Sequence, residues 1–142
     1  MKPQAWFTRK FGKQPDFVFP AIIERLEGTP LRLEHKISQI QPSFYRKKTE
    51  NDTWTIQEQV GHLLDLEPLW LGRFQDIVSD TAELRAADLS NQKTFDAQYN
   101  QQTMETILTD FQFQRSRIIS FLQQIQASDL DKFALHPRLK TP

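Results

Sequence analysis

The sequence predicts an all-α fold, an up-down helical bundle, and three observations lead to that prediction. Apolar residues recur with a 3.6-residue period along three long segments of the 142-residue chain. The middle segment opens with Thr55 and Glu58, an S/T-x-x-E box in which two backbone N–H groups at a helix start are satisfied reciprocally. No segment alternates apolar and polar residues as a half-buried strand does. Helices with such stripes bury them against one another in a bundle.

The composition excludes several classes of protein. Eighteen basic residues balance 18 acidic ones, so no overall charge attracts nucleic acid or an anionic membrane. The absence of cysteine excludes disulfides, a thiolate nucleophile and cysteine-bound zinc. No apolar run approaches the ~18 residues that span a bilayer, and the N-terminus lacks the apolar stretch of a signal peptide. We therefore expect one domain, residues 1–142, located in the cytoplasm without nucleic-acid or membrane partners.

The N-terminal third predicts an arm, one helix and a connection. Residues 1–18 are expected to form an irregular arm, and a first helix is expected over 19–40. The Gly28-Thr29-Pro30 triplet would normally interrupt a helix. The apolar stripe nevertheless keeps one phase across the triplet, which predicts a single kinked helix rather than two. Residues 41–53 follow as a polar connection.

The second helix is predicted over 55–79, with a bend at Pro68, because proline cannot donate to the carbonyl of Leu64. His62 falls at the edge of its apolar arc and Glu67 at the centre. The arc itself is broad, as in a core helix of a bundle. Its members are Ile56, Val60, Leu63, Leu64, Trp70, Leu71, Phe74 and Val78, widened by Leu66 and Leu69.

The C-terminal part predicts one more long helix. Residues 80–101 have no clear period and are expected to form a long loop, of a length that is usually functional or floppy. A third helix is predicted over 103–126, capped by Thr103. Residues 127–142 are expected to form a short capped turn at 128–131 and then an extended tail.

These residues resemble a known family, the DinB-like (YfiT-like) metal-binding four-helix-bundle superfamily, in its damage-inducible DinB-type branch. The second helix is similar to the pattern W-[ST]-x-x-E-x-x-x-H-L-x-D-x-E-x-x-W-x-x-R. Similar segments also occur outside that helix. They are WFTRKF near the start, RLEGTPLRLE at 25–34, RAADLSN at 85–91 and LHPRLKTP at the end. The resemblance implies that the loop over 80–101 crosses the bundle.

The resemblance implies that His62 is one of three metal ligands. In the family the other two come from an H-x-x-x-H pair on a last helix, which would begin where this sequence stops at Pro142. The expected fold is therefore a DinB-like up-down four-helix bundle with its last helix missing from these residues and an apolar trough beside the other three. A truncated copy, a partner molecule in the trough or a different terminal arrangement would each explain this, and truncation is favoured.

The chain has three histidines in all. On residue types alone, a lone histidine beside an apolar stripe is more often a satisfied core or surface group than a ligand. For His62 the family resemblance reverses that preference. His35 falls on the polar side of the first helix and is expected to be solvated, whereas His136 matches a family position with a structural role.

Glu67 and Arg115 form a second candidate constellation. Each lies in the middle of its helix's apolar stripe, where a lone charge would cost several kcal/mol of desolvation free energy. The favoured interpretation is a buried ion pair that fixes the register of the second and third predicted helices. The alternatives are a polar wall of an active-site pocket, or one or both side chains reaching solvent.

Two functional hypotheses are open. In the first, an enzyme holds divalent zinc or nickel through His62 and two histidines beyond Pro142, and the resemblance implies thiol S-transferase or hydrolase chemistry. Some members of the superfamily use small-molecule thiols such as bacillithiol or mycothiol, and without cysteine the thiolate must arrive with the cosubstrate. In the second, the chain is a non-catalytic helical binding or dimerisation module, such as a homodimer, with an incomplete metal site.

Overall fold

Helices dominate the part of the chain that the computed structural model describes, residues 12–50 and 53–140. Three of them are long and the other is short, and no strand longer than an isolated bridge occurs within those ranges. In chain order they are α1 (Phe19–Ser38), α2 (Ile56–Val78), α3 (Gln92–Asp96) and α4 (Met104–Leu122). The predicted all-α class is confirmed, and each long helix lies within four residues of its predicted ends.

The start of α2 has the predicted capping box. The Thr55 hydroxyl oxygen accepts a hydrogen bond from the Glu58 backbone N–H at 3.1 Å, and the Glu58 carboxylate accepts one from the Thr55 N–H at 2.7 Å. The same Thr55 hydroxyl donates to Asn100 Oδ1 at 2.8 Å. The cap therefore starts the helix and also ties it to the segment that precedes α4.

The core forms where α4 packs against both α1 and α2. Apolar residues of α4 recur at helical spacing and are almost fully buried, as the predicted stripe requires. They include Ile107, Phe111, Ile118 and Leu122. At the end nearest the α2 cap, Ile37, Val60, Tyr99, Met104 and Ile107 form one buried cluster.

Pro30 lies inside α1 without ending it, as predicted. Proline has no N–H to donate, so the carbonyl of Leu26 loses its partner within the helix. Arg115 of α4 replaces that partner, because its Nη1 donates to the Leu26 oxygen at 3.2 Å. The proline thus creates an acceptor that connects α1 to α4.

Arg115 also forms the predicted buried ion pair with Glu67. Its Nε and Nη2 donate to the two carboxylate oxygens of Glu67, each at 2.7 Å. The Glu67 side chain is 2% exposed and that of Arg115 11%, so the alternative in which these charges reach solvent is wrong. One guanidinium therefore joins α4 to both other long helices.

The buried face of α2 differs from the predicted arc. Leu63 and Trp70, two members of the arc, are 40% and 39% exposed. Gln57 is buried instead, with its Nε2 donating to the backbone oxygens of Tyr99 and Gln102 at 2.6 and 2.8 Å. Apolar periodicity missed this position because the segment between α3 and α4, rather than a long helix, packs against this side of α2.

The expected loop over 80–101 contains more structure than predicted. It includes α3, a 3-10 turn at Tyr99–Gln101 and an isolated parallel bridge between Glu83 and Leu135. Left-handed backbone at Asn91 and Gln98 turns the chain before each helical piece. We call residues 80–103 the crossover segment. Apolar periodicity could not reveal the helices of this segment, because each of them is shorter than two turns.

The two ends of the sequence are described only in part. Of the predicted arm over 1–18, residues 1–11 lie outside the described residues, and Asp16–Val18 form a 3-10 turn that leads into α1. The predicted turn near 128–131 is a 3-10 turn at Ala127–Asp131. Residues 141–142 of the predicted tail also lie outside the described residues. None of the helices in the described ranges combines the length and apolar character that crossing a bilayer requires.

Candidate functional site around His62

His62 lies in the first half of α2 and is half-buried where the crossover segment passes. It lines a cavity of about 140 Å³ between α2 and that segment. One wall is apolar and the other polar. The lining residues are His62, Asp65, Leu66, Leu69, Ala87, Asp88, Asn91, Lys93 and Thr94.

The imidazole is packed against an aromatic pair. The rings of Trp54 and His62 have centroids 4.7 Å apart and are tilted by 48°, and Phe95 meets Trp54 edge-on at 5.9 Å. Within the described residues the buried Trp54 Nε1 has no hydrogen-bond partner. These contacts hold the ring on one side and leave its cavity side to polar groups.

A short series of hydrogen bonds leads from the imidazole into the protein. His62 Nδ1 is 3.0 Å from Thr94 Oγ1, and Thr94 Oγ1 is 2.9 Å from Asp65 Oδ2. On the other carboxylate oxygen of Asp65, the Tyr99 hydroxyl donates at 2.8 Å and Lys93 Nζ lies at 3.3 Å. Thr94 and Asp65 are buried, whereas Lys93 is largely exposed.

Tyr99 is a fixed donor in this arrangement. Burial raises the pKa of its phenol, and the adjacent Asp65 raises it further. Gly61 makes the contact sterically accessible, because a Cβ at that position would lie 2.2 Å from Tyr99 Cδ2. The glycine immediately before His62 therefore lets the tyrosine ring lie across α2 and reach Asp65.

Asp88 positions α3, which carries Thr94. Its carboxylate accepts hydrogen bonds from the Ser90 hydroxyl at 2.5 Å, the Ser90 N–H at 2.9 Å and the Gln92 N–H at 2.9 Å. These bonds, that of the Ser90 hydroxyl most of all, lower the pKa of Asp88. The carboxylate thus orders the turn into α3 while lining the cavity that His62 lines.

The other two histidines are placed away from this cavity lining. His35 is exposed on α1, as expected. His136 Nδ1 accepts from the backbone N–H groups of Arg138 and Leu139 at 3.3 and 3.4 Å. Burial and then the charges of Arg73 and Arg138 lower the pKa of His136. Its backbone contacts agree with the structural role predicted for it.

One imidazole beside a cavity fits one ligand position of a metal site. No hydrogen-bond partner for His62 Nε2 occurs among the described residues. A catalytic zinc site uses about three protein ligands, and residues 12–50 and 53–140 contain no group of three His, Cys, Asp or Glu side chains that could hold a metal ion. The described chain therefore fits a metal through His62 and does not by itself complete the site.

The Glu67–Arg115 pair belongs to another part of the bundle. Arg115 lines a cavity of about 320 Å³ between α1 and α4, which shares no lining residue with the His62 cavity. The prediction of a polar active-site wall is therefore not met at His62, and the pair has the contacts of a helix-joining ion pair.

The chain belongs to the DinB superfamily, whose sequence model matches residues 25–142. This confirms the resemblance on which the assignment of His62 rests. Among solved structures, the chain is similar to YfiT from Bacillus subtilis, a probable metal-dependent hydrolase with an unusual four-helix bundle topology. The two share 18% sequence identity at a TM-score of 0.74, over 93% of this chain and 75% of that one. The likeness confirms the four-helix-bundle fold. No curated protein matched the sequence.

Three residues of this site escaped sequence reasoning as functional groups. Asp65 was visible only as part of the family-like pattern, and Thr94 and Tyr99 carry no recognisable signal. Asp65 follows His62 by three residues, a spacing that places both on one helix face. That spacing was the one signal available before the path of the crossover segment was known.

Proposed function

We propose that this protein is metal-dependent and that His62 contributes one ligand to a divalent zinc or nickel ion. The observation that carries the proposal is the His62 imidazole, which lines a cavity with Nδ1 bonded to Thr94 and Nε2 without a described partner. Metal-binding histidines commonly use one ring nitrogen for the ion and the other for a hydrogen bond. Membership of the DinB superfamily supports the proposal, as does the similarity to YfiT.

The chemistry we propose is hydrolysis or thiol S-transfer on a small molecule. A bound divalent ion would lower the pKa of water or of a thiol, which produces a nucleophile at neutral pH. Because the chain has no cysteine, the thiol would come from a cosubstrate. Leu66 and Leu69 provide an apolar wall for such a molecule, and Lys93 and Asp88 provide charged groups at the same cavity.

Native mass spectrometry of the purified protein after exposure to Zn²⁺ or Ni²⁺ tests the metal proposal. The expected result is a bound ion in the wild type and in a His35→Ala variant, and none in a His62→Ala variant. His35 is the matched control because it is an exposed histidine on α1. Far-UV circular dichroism checks that both variants fold. Retention of the ion by His62→Ala would refute the assignment of His62.

The alternative function is a non-catalytic binding or dimerisation module. It is favoured by the finding that the described residues contain no group of three His, Cys, Asp or Glu side chains that could hold a metal ion. Leu31, which lines the separate α1–α4 cavity, is 63% exposed and would be available to a second copy. A wild-type protein that binds no ion and sediments as a folded dimer would support this function over the first.

A further inference from the structure

We propose that Thr94 and Asp65 hold the neutral His62 ring in the tautomer with its proton on Nδ1, so that Nε2 is the functional nitrogen. The two residues would be positioning residues that act through His62. The proposal follows from the direction in which each hydrogen bond in this series must run. Its consequence for metal binding rests on the proposed function, whereas the tautomer itself does not.

The direction begins at Asp65. Lys93 Nζ, 3.3 Å from Oδ1, can only donate, and the Tyr99 hydroxyl donates to the same oxygen at 2.8 Å. Oδ2 faces Thr94 at 2.9 Å. A carboxylate has acceptors and no donor, so the hydrogen bond between Thr94 and Asp65 must use the hydroxyl proton of Thr94.

The direction then passes to the imidazole. A threonine hydroxyl has one proton and two lone pairs. Since that proton is committed to Asp65, Thr94 Oγ1 can only accept from His62 Nδ1, which lies 3.0 Å away. A neutral imidazole carries its single proton on one of the two nitrogens. The proton therefore resides on Nδ1, and the lone pair of Nε2 is left to bind a metal ion or to accept a proton.

An Asp65→Asn substitution should reverse this order. The amide oxygen would stay against Lys93 and Tyr99, because both donate to Oδ1. The amide NH₂ would then face Thr94 and donate to it. The Thr94 proton would then be free to point toward His62 Nδ1, which favours the tautomer with the proton on Nε2. The change in residue volume is small. A change of tautomer in this variant would therefore result from the reversed hydrogen bonds and not from altered packing.

The test is the ¹⁵N chemical shifts of the two ring nitrogens of His62 in metal-free, ¹⁵N-histidine-labelled protein. The spectra are recorded at a pH of about 8.5, two units above the ordinary histidine pKa. The wild type and Thr94→Ser should show the proton on Nδ1. Asp65→Asn should move it to Nε2, and Thr94→Val should lose the preference for Nδ1. The His35 signals, which should not move, serve as an internal control.

A wild-type His62 with its proton on Nε2 would overturn the proposal, as would an Asp65→Asn spectrum identical to that of the wild type. If Asp65→Asn fails to fold, Thr94→Val tests the same hydrogen-bonded series without removing the charge of Asp65. Titration with Ni²⁺ alone then separates the two proposals. Loss of outer hydrogen bonds typically weakens metal affinity ~10–100-fold, and we expect a loss of that order in Asp65→Asn. Absence of Ni²⁺ binding in the wild type would refute the proposed function and leave the tautomer result standing.

Discussion

Two carboxylates, Asp65 and Glu67, lie two residues apart on α2. They point to nearly opposite faces of the helix, because two residues rotate it by about 200° at ~100° per residue. Both are buried, and both are bonded to residues distant in sequence. Glu67 meets Arg115 of another long helix, and its two oxygens are bound by two N–H groups of that arginine. Among the described residues, the side-chain partners of Asp65 belong to the crossover segment, and its series of bonds ends at His62 beside an open cavity.

The carboxylate of Glu67 therefore joins helices, whereas the carboxylate of Asp65 lies in surroundings that can be changed without breaking the bundle. The Glu67 network joins the three long helices, because Arg115 of α4 binds both Glu67 of α2 and the Leu26 oxygen of α1. The Asp65 network depends on α3, a helix of five residues whose entry is held by the side chain of Asp88. Such a segment opens locally at lower free energy than the helices beneath it. We call the surroundings of Glu67 and Arg115 the rigid side of the bundle. We call the surroundings of Asp65 and the crossover segment the adjustable side.

Glu67→Gln should have the largest effect and would break the rigid side. Removing one partner of a buried ion pair leaves the other charge uncompensated, which typically costs ~3–5 kcal/mol of unfolding free energy. Urea denaturation measures the loss. Glu24→Gln, at an exposed glutamate of α1, is the control and should change the unfolding free energy by less than ~0.5 kcal/mol. Equal stabilities of the two variants would show that the pair does not join the helices.

Gly61→Ala should have an intermediate effect and acts on the adjustable side. The added methyl group would overlap the ring of Tyr99, which is 4% exposed and cannot move freely. Overpacking of this kind costs ~1–3 kcal/mol, against ~1 kcal/mol gained in helix propensity. Thermal unfolding measures the net loss, and the ¹⁵N spectrum of His62 should shift as Tyr99 leaves Asp65.

Gly28→Ala is the matched control for that substitution. The atoms nearest to its new methyl group would be those of the guanidinium of Arg32, at the far end of a flexible, exposed side chain. The variant should therefore be as stable as the wild type or more stable by up to ~1 kcal/mol. If both alanine variants gain stability, the ring of Tyr99 does not pack against Gly61.

Acidification should have the smallest effect and would loosen the turn into α3. Hydrogen bonds from Ser90 and Gln92 lower the folded-state pKa of Asp88 below its unfolded value of ~3.9. Their contribution is therefore present above that unfolded value and is lost as the pH falls through the folded pKa. The amide NMR signals of Ser90 and Gln92, followed from pH 6 to 3, should report the loss.

The control for the acid transition is a pair of asparagine variants. Asp88→Asn should remove the transition from those two amides, whereas Asp16→Asn, at an exposed residue before α1, should leave it intact. An unchanged transition in Asp88→Asn would mean that another carboxyl group holds the turn.

Sequence reasoning predicted what depends on one helix at a time. The capping box of Thr55 and Glu58 is local, and the pairing of Glu67 with Arg115 follows from two charges of opposite sign in the centres of two apolar stripes. The arc of α2 was less accurate, because periodicity shows that a helix has a buried face and not which element covers it. Gln57 is buried by backbone acceptors of the crossover segment, which no period in α2 could reveal.

By itself, the sequence determined the helical class, the three long helices and the buried ion pair. These depend on spacing along a helix and on the cost of leaving charge unpaired. Only the tertiary structure decided that Thr94 and Tyr99 meet Asp65 beside His62. Their sequence separations of about 30 residues are bridged by a segment without periodicity. Its path is set by Asp88, by the left-handed backbone of Asn91 and Gln98 and by the space that Gly61 leaves open.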